Sequence, residues 1–195
     1  MMKKIIFASG NEGKVAEVRK ILSELNIQIV SLLDVDFIGE IEENGDSFEE
    51  NAKIKAIGIF NNYKLPTIAD DSGLVVEQLN GEPGIYSARY AGIGSDDEAN
   101  NIKLLENLSS KPEPHRAKFV CSAAYYSGKE IYVTVGEVYG KLISEARGTN
   151  GFGYDPLFVP DGYSKTMAEL DSRTKNSISH RFKAFDQIKK HLFSI

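Results

Sequence analysis

The sequence predicts an α/β fold built on a mixed β-sheet. Short apolar runs that read as strands alternate with stretches whose apolar residues recur at helical spacing, the pattern of strands connected by crossover helices. Two longer strand-like runs, residues 117–126 and 130–142, face each other across Ser127-Gly128, a turn that makes an antiparallel pair. Crossovers and a hairpin in one chain mean a mixed rather than a purely parallel sheet. At 195 residues the chain fits one domain of generous size or two small lobes, and residues 1–195 are expected to form a single domain.

Residues 3–8 read as the first strand. From Lys14, Val15, Val18, Ile21, Leu22 and Leu25 recur at helical spacing. A second strand is expected over 27–33. Ser47 and Glu50 form a capping-box pattern ahead of a helix whose apolar positions are Phe48, Ala52, Ile57 and Phe60. The run "LPTIADDSGLVV" reads as strand, loop, strand. A second capping-box pattern, Ser95 and Glu98, opens a helix to about Leu108. The stretch 109–115, "SSKPEPH", reads as an exposed linker. The glycine-rich run "GTNGFGYDPLF" is irregular, and a helix from about Ser177 to Leu192 closes the chain, with Phe182, Phe185, Ile188 and Leu192 on one face.

Bulk composition excludes several classes. A 42% hydrophobic share supports a real core, and a net charge of -5 argues against general nucleic-acid or anionic-membrane binding, which need a broad basic surface. No apolar run approaches the roughly 20 residues that cross a bilayer. Ile5-Ile6-Phe7-Ala8 is too short for a signal-peptide core, so a cytoplasmic protein is expected. The single cysteine, Cys121, sits in the strand-like run "KFVCSAAYY" and reads as a buried structural thiol in a reducing compartment.

Five stretches carry residues suited to chemistry. "FASGNEGK", residues 7–14, lies at a strand-to-helix junction, where backbone N–H groups and the helix dipole attract anions. Gly10 and Gly13 allow close approach, Ser9 and Asn11 add donors and Lys14 adds a positive charge. The pattern is neither a P-loop nor a dinucleotide fingerprint, and a plain strand-helix turn is the alternative. In "ADDSG", 69–73, neighbours in an extended chain point to opposite faces, so one of Asp70 and Asp71 faces a cleft and the other braces; an Asx-type turn into Gly73 is the competing reading. "GEIEENGD" adds Glu40, Glu42 and Glu43, either a solvated loop or oxygen ligands for a hard cation such as Mg²⁺, which pairs one or two carboxylates with substrate phosphates. In "GFGYD", 151–155, Phe152 and Tyr154 between glycines offer a stacking surface for a base or simply pack a turn. "TKNSISHR" places Lys175, His180 and Arg181 as a donor group on one helix.

In chain order, these stretches with their flanks and one further motif, "GEPGIYSARYAG", read "SGNEGKVAEV", "EENGDSFEENAKIKA", "ADDSGL", "GEPGIYSARYAG", "GTNGFGYDPLF" and "SISHR". Together they resemble the inosine triphosphatase family, the house-cleaning pyrophosphatases of dITP, ITP and XTP, over residues 5 to about 185. Ser9 stands where the family more often has Thr, and both supply a hydroxyl. The resemblance implies a long twisted mixed sheet flanked by helices, two lobes around a central cleft, a homodimer and a Mg²⁺ cofactor (with Mn²⁺ possible). It implies hydrolysis of the α–β phosphoanhydride to a nucleoside monophosphate and pyrophosphate. By motif position, Asp71 is the general base and a metal ligand, and Glu43 is the other metal ligand. Ser9, Gly10, Asn11, Glu12, Gly13 and Lys14 hold phosphate oxygens, with Lys55 reaching the same groups and Ser72 beside them. Phe152 stacks on the base within Gly153, Tyr154 and Asp155, and Lys175, His180 and Arg181 line the nucleoside pocket.

Three rival readings have weaker footing. A nucleotide sensor without turnover has no use for carboxylates beside a phosphate site. A serine hydrolase using Ser72 lacks the G-x-S-x-G elbow. A structural dimerisation domain leaves the aromatic-glycine loop unexplained.

Overall fold

A computed structural model describes residues 3–35, 37, 39, 41 and 43–194. Its strands are β1 (Lys3–Phe7), β2 (Ile27–Ser31), β3 (Thr67–Val76), β4 (His115–Tyr126), β5 (Ile131–Leu142) and β6 (Phe158–Pro160). The helices are α1 (Glu12–Ile21), α2 (Phe48–Tyr63), α3 (Asp97–Leu108), α4 (Ser172–Ile178) and α5 (His180–Ser194), with short 3₁₀ turns at Glu77–Leu79 and Gly84–Arg89. The strand order is β2-β1-β3-β4-β5-β6. β1 pairs in parallel with β2 and β3, whereas β5 and β6 are antiparallel, so the sheet is mixed as the sequence predicts.

The chain divides into two compact units, and it passes between them four times. Unit one takes residues 1–71, 121–136 and 181–195; unit two takes 72–120 and 137–180. Within unit one the sheet is covered on both faces. Ile5, Phe7 and Ile68 pack with Val15, Val18, Phe185 and Ile188 on the α1/α5 side. Ile6, Ala8 and Ala69 pack with Ala52, Ala56 and Ile59 of α2 on the other. Burial on both faces is why the first strand reads as a continuous apolar run rather than an alternating one. In unit two, Leu104 and Leu108 of α3 join Phe119, Val138, Tyr154 and Phe158 in a separate core.

Several local expectations need correction. "LPTIADDSGLVV" is not strand, loop, strand: residues 67–76 are one unbroken strand, so the two aspartates sit mid-strand rather than in a turn. The core face of α2 is Ala52, Ala56 and Ile59; Ile57 is 38% exposed, because the small residues rather than the large ones let α2 lie close to the sheet. α3 is capped by Asp96, whose carboxylate accepts from Ala99 N–H, and not by Ser95, whose hydroxyl donates to Gly92 O. The closing helix is two helices: α4 starts at the Asp171 cap and stops at Ser179, which has extended backbone (ψ 151°). His180 and Arg181 therefore open α5 rather than continuing the helix of Lys175. Residues 109–114 are exposed but tied down, since Gln78 Nε2 donates to Pro112 O and Pro114 O at 3.2 and 2.7 Å. Cys121 is fully buried, and burial raises its thiol pKa far above the ordinary value, which fits a structural role.

Candidate active site

β3 places its two aspartates on opposite faces, as an extended chain requires. Asp70 shares the Ile68 face and meets α1 and α5. Its Oδ2 lies 3.1 Å from Lys14 Nζ and 3.4 Å from Arg181 Nε. Arg181 also donates to Glu17 Oε2 at 2.7 Å, and at 2% exposure it is among the most buried large side chains. Burial by itself would raise the Asp70 pKa; Lys14, Arg181 and Lys55 overcome it and hold the carboxyl well below the usual range. Asp70 is thus a permanent anion that fixes Lys14 and Arg181. Its other oxygen, Oδ1, is buried and accepts no hydrogen bond among the described residues.

Asp71 shares the Ala69 face and meets α2. Asn51 Nδ2 donates to its Oδ2 at 3.0 Å, and Lys55 Nζ lies 3.7 Å from its Oδ1. Asn51 and Lys55 are four residues apart, so one face of α2 brings both to the same carboxylate. Lys55 Nζ also lies 3.2 Å from Glu43 Oε1. Burial raises the Asp71 pKa, the Lys55 charge opposes the rise and the Glu43 charge adds to it. Lys55 is pulled down by burial, yet Asp71, Asp70 and Glu43 outweigh that and raise its pKa. Two adjacent aspartates thus have opposite protonation tendencies, the arrangement that separates a fixed charge from a proton acceptor.

Glu43 and Asp71 converge on a single ammonium, which shows that their oxygens suit a cation. Mg²⁺ is commonly bound by one or two carboxylates together with substrate phosphates, and this pair matches that requirement. No group of three or more His, Cys, Asp or Glu that could hold an ion occurs among the described residues, so a complete protein cage is not what they offer. Glu40 and Glu42 lie outside the described residues.

The amino-terminal junction has the geometry of a helix-start cradle. Asn11 caps α1 by accepting from Lys14 N–H at 2.9 Å, and Ser9 Oγ accepts from Asn11 N–H at 3.2 Å. The Asn11 oxygen is therefore committed to the helix, leaving its amide N–H₂ as the donor. A Cβ built on Gly10 would meet no atom within 4 Å, so space stands open there. Glu12 and Gly13 form the first turn of α1.

Unit two holds the aromatic cluster. Lys175 Nζ lies 2.7 Å from Asp155 Oδ2 and 5.1 Å from the centroid of the Phe152 ring. Asp155 Oδ2 also accepts from Phe152 N–H at 3.0 Å. Gly151 has φ +84°, and a Cβ there would stand 2.1 Å from Asp155 Oδ2, so only glycine fits. Tyr154 does not offer a free face: it is 4% exposed in the core, and its hydroxyl donates to Ser87 O at 2.9 Å. His180 stacks on Phe119, with centroids 4.9 Å apart. Ser72, directly after Asp71, is half-buried. Gly73 is required by close approach, since a Cβ would lie 2.3 Å from Ser87 Oγ.

Asn51 and Glu17 join these contacts without having carried a mark of their own in the sequence. Their only signal is spacing: Asn51 stands four residues before Lys55, and Glu17 three after Lys14.

Comparison with known proteins places the geometry in a family context. The description "Ham1 family" matches residues 5–191. A protein of Listeria monocytogenes serotype 4b (strain F2365) named dITP/XTP pyrophosphatase is 48% identical over 197 residues, covering 100% of this chain and 97% of its own length. One of the same name from Geobacter sulfurreducens is 47% identical over 193 residues, covering 98% of this chain and 97% of its own. Among solved structures, a HAM1 protein from Coxiella burnetii aligns with TM-score 0.91 at 38% identity, covering 100% of both chains. The Staphylococcus aureus Ham1 protein aligns with TM-score 0.88 at 40% identity, covering 98% of this chain and 99% of its own.

Proposed function

The chain belongs to the Ham1 family, and from that premise we propose that it is a pyrophosphatase of deaminated purine nucleoside triphosphates, dITP, ITP and XTP. It cleaves the α–β phosphoanhydride and releases a nucleoside monophosphate and pyrophosphate. The observation that carries this reading is full-length similarity, at 48% identity, to a protein named dITP/XTP pyrophosphatase.

Asp71 orients the attacking water and accepts its proton as the new oxygen–phosphorus bond forms at the α-phosphorus and the bond to the pyrophosphate oxygen breaks. Its place between Asn51 and Lys55 on the α2 side of β3 supports that role. Asn51 holds the Asp71 carboxylate in place. Glu43 and Asp71 would hold a divalent ion, Mg²⁺ or Mn²⁺, which when bound supplies charge neutralisation at the phosphates. Lys55 and Lys14 add fixed positive charge, and phosphoryl chemistry asks chiefly for such positioning and electrostatics. Ser9, Asn11 and the first turn of α1, with Glu12 and Gly13, receive phosphate oxygens in the open space at Gly10. Ser72 adds a hydroxyl.

Phe152 stacks on the base while Lys175 and Asp155 hold its loop, and His180 borders the nucleoside. Hypoxanthine and xanthine carry a C6 oxygen that accepts hydrogen bonds, and adenine carries an amino group. A site of donors leaves adenine facing unpaired polar groups, which discriminates strongly. Arg181 is engaged with Asp70 and Glu17, so backbone N–H groups make the direct contact.

A cytoplasmic location and a homodimer complete the proposal. No described helix is long and apolar enough to cross a membrane. Sedimentation equilibrium checks the dimer, with a 21.6 kDa species as the outcome against it. The decisive assay is a panel of dITP, ITP, XTP, GTP and ATP with Mg²⁺, measuring pyrophosphate and orthophosphate. Pyrophosphate from the first three is expected; orthophosphate release, or equal kcat/KM across the panel, would remove the reading.

A further inference from the structure

Asp97 and Asn101 stand four residues apart on α3 and so share one face of the helix. That face meets the loop carrying Phe152. Gly153 N–H donates to Asp97 Oδ2 at 2.6 Å, and Asn101 Nδ2 donates to Gly153 O at 3.1 Å. Both backbone polar groups of the residue next to Phe152 are therefore held by a single helix. A cavity of about 500 Å³ lies beside this contact, lined by Ile102 and Leu105 of α3 and by Thr149 and Pro156 of the loop. Beside that cavity the two hydrogen bonds to Gly153 tie the loop directly to α3.

The helix making this clamp is itself anchored. Asn100, 3% exposed, accepts from Ala91 N–H at 2.8 Å and donates to Ala88 O at 3.3 Å. Past Phe152 the loop is fixed by the Tyr154 hydroxyl on Ser87 O and by the Asp155–Lys175 pair. Gly153 is held from α3 between these points.

We propose that Asp97 and Asn101 are positioning residues that set the Phe152 ring, and through it the affinity for the purine. This rests on the assignment of Phe152 to the base. Because Phe152 touches the base and not the reacting phosphorus, the effect falls on KM rather than kcat.

The test measures kcat and KM for dITP, with thermal melting, in Asp97→Ala, Asp97→Asn, Asn101→Ala, Phe152→Ala and the double variant Asp97→Ala/Phe152→Ala. Asp97→Ala is expected to raise KM about ten-fold, the size of one lost charge-assisted hydrogen bond, with kcat nearly kept. Asp97→Asn keeps an acceptor for Gly153 N–H and restores most of the loss; Asn101→Ala behaves like Asp97→Ala. In the Phe152→Ala background Asp97→Ala adds nothing. A parental KM in Asp97→Ala while Phe152→Ala raises KM overturns the proposal and leaves the base assignment standing. So does an equal effect in both backgrounds accompanied by a lowered melting temperature. A parental KM in Phe152→Ala removes the base assignment itself, and the proposal with it.

Discussion

At the scale of single residues, the neighbouring aspartates of β3 lean in opposite directions, Asp70 held ionised and Asp71 biased toward protonation, and the proposed split between a fixed charge and a proton acceptor rests on that difference. Asp71→Asn is expected to lower kcat for dITP by orders of magnitude. It is also expected to raise the melting temperature of the metal-free protein at neutral pH. The sign follows from the raised folded pKa: the ionised Asp71 costs stability above that pKa, and the cost vanishes below the unfolded value. A gain of 1 kcal/mol corresponds to about 2–4 °C in a protein of this size. An unchanged or lower melting temperature would contradict the assigned strain. Arg181 answers the opposite logic. Arg181→Met removes the buried guanidinium that Asp70 and Glu17 share, with Lys14 still 3.1 Å from Asp70, and is expected to cost about 3–5 kcal/mol in urea unfolding. A cost below 1 kcal/mol would show that Arg181 is no brace. Asp70 and Asp71 were legible as a pair needing two faces. Which one meets α2 was not, because alternation fixes opposition and not direction.

Among the elements, α2 is the one whose sequence pattern misleads. Its large residues suggest a face through Ile57 and Phe60, but the sheet receives Ala52, Ala56 and Ile59. Close approach to the sheet selects small side chains, and that same approach delivers Asn51 and Lys55 to Asp71. Ile57→Lys is expected to change stability by no more than about 0.5 kcal/mol. Ala56→Leu is expected to cost about 1–3 kcal/mol and to lower kcat by moving Asn51 and Lys55. Equal effects of the two substitutions, read from chemical denaturation and dITP turnover, would invalidate the face. Capping signals were partly readable: Ser47 does accept from Glu50 N–H, while Glu50 reaches Asp46 N–H rather than closing the box on Ser47. Adjacent candidates such as Ser95 and Asp96 compete for one cap, and tertiary contacts decide between them. The interruption at Ser179 escaped the periodicity because Ser is compatible with helix, and nothing local forbids continuing through it.

At the scale of the whole molecule, the two units are interleaved along the chain, with crossings at 71/72 and 180/181 inside the "ADDSGL" and "SISHR" motifs. Acid stability follows from Asp70. Its depressed folded pKa makes its contribution fully present above the unfolded value near 3.9 and lost as pH falls through the folded one. Asp70→Asn is expected to lower neutral-pH stability and to flatten the acid limb of the melting curve; an unaltered acid limb would count against it. Adding Mg²⁺ is expected to raise the melting temperature of the parent more than that of Glu43→Gln, since binding to the folded state stabilises it by mass action. Identical shifts would remove Glu43 from the ion. Local pattern alone was enough for the α/β class, the order and approximate bounds of β1, β2, α1, α2, α3, β4 and β5, and the motifs that carry the family resemblance, because hydrophobic period, capping residues and glycine turns act over a few neighbouring positions. Folding in three dimensions was needed to show that "ADDSG" is an unbroken strand, that Arg181 pairs with Asp70 and Glu17, that Tyr154 belongs to the core and that α3 grips Gly153. Those outcomes depend on which distant side chains arrive beside one another, and burial and charge pairing across the chain leave no local mark.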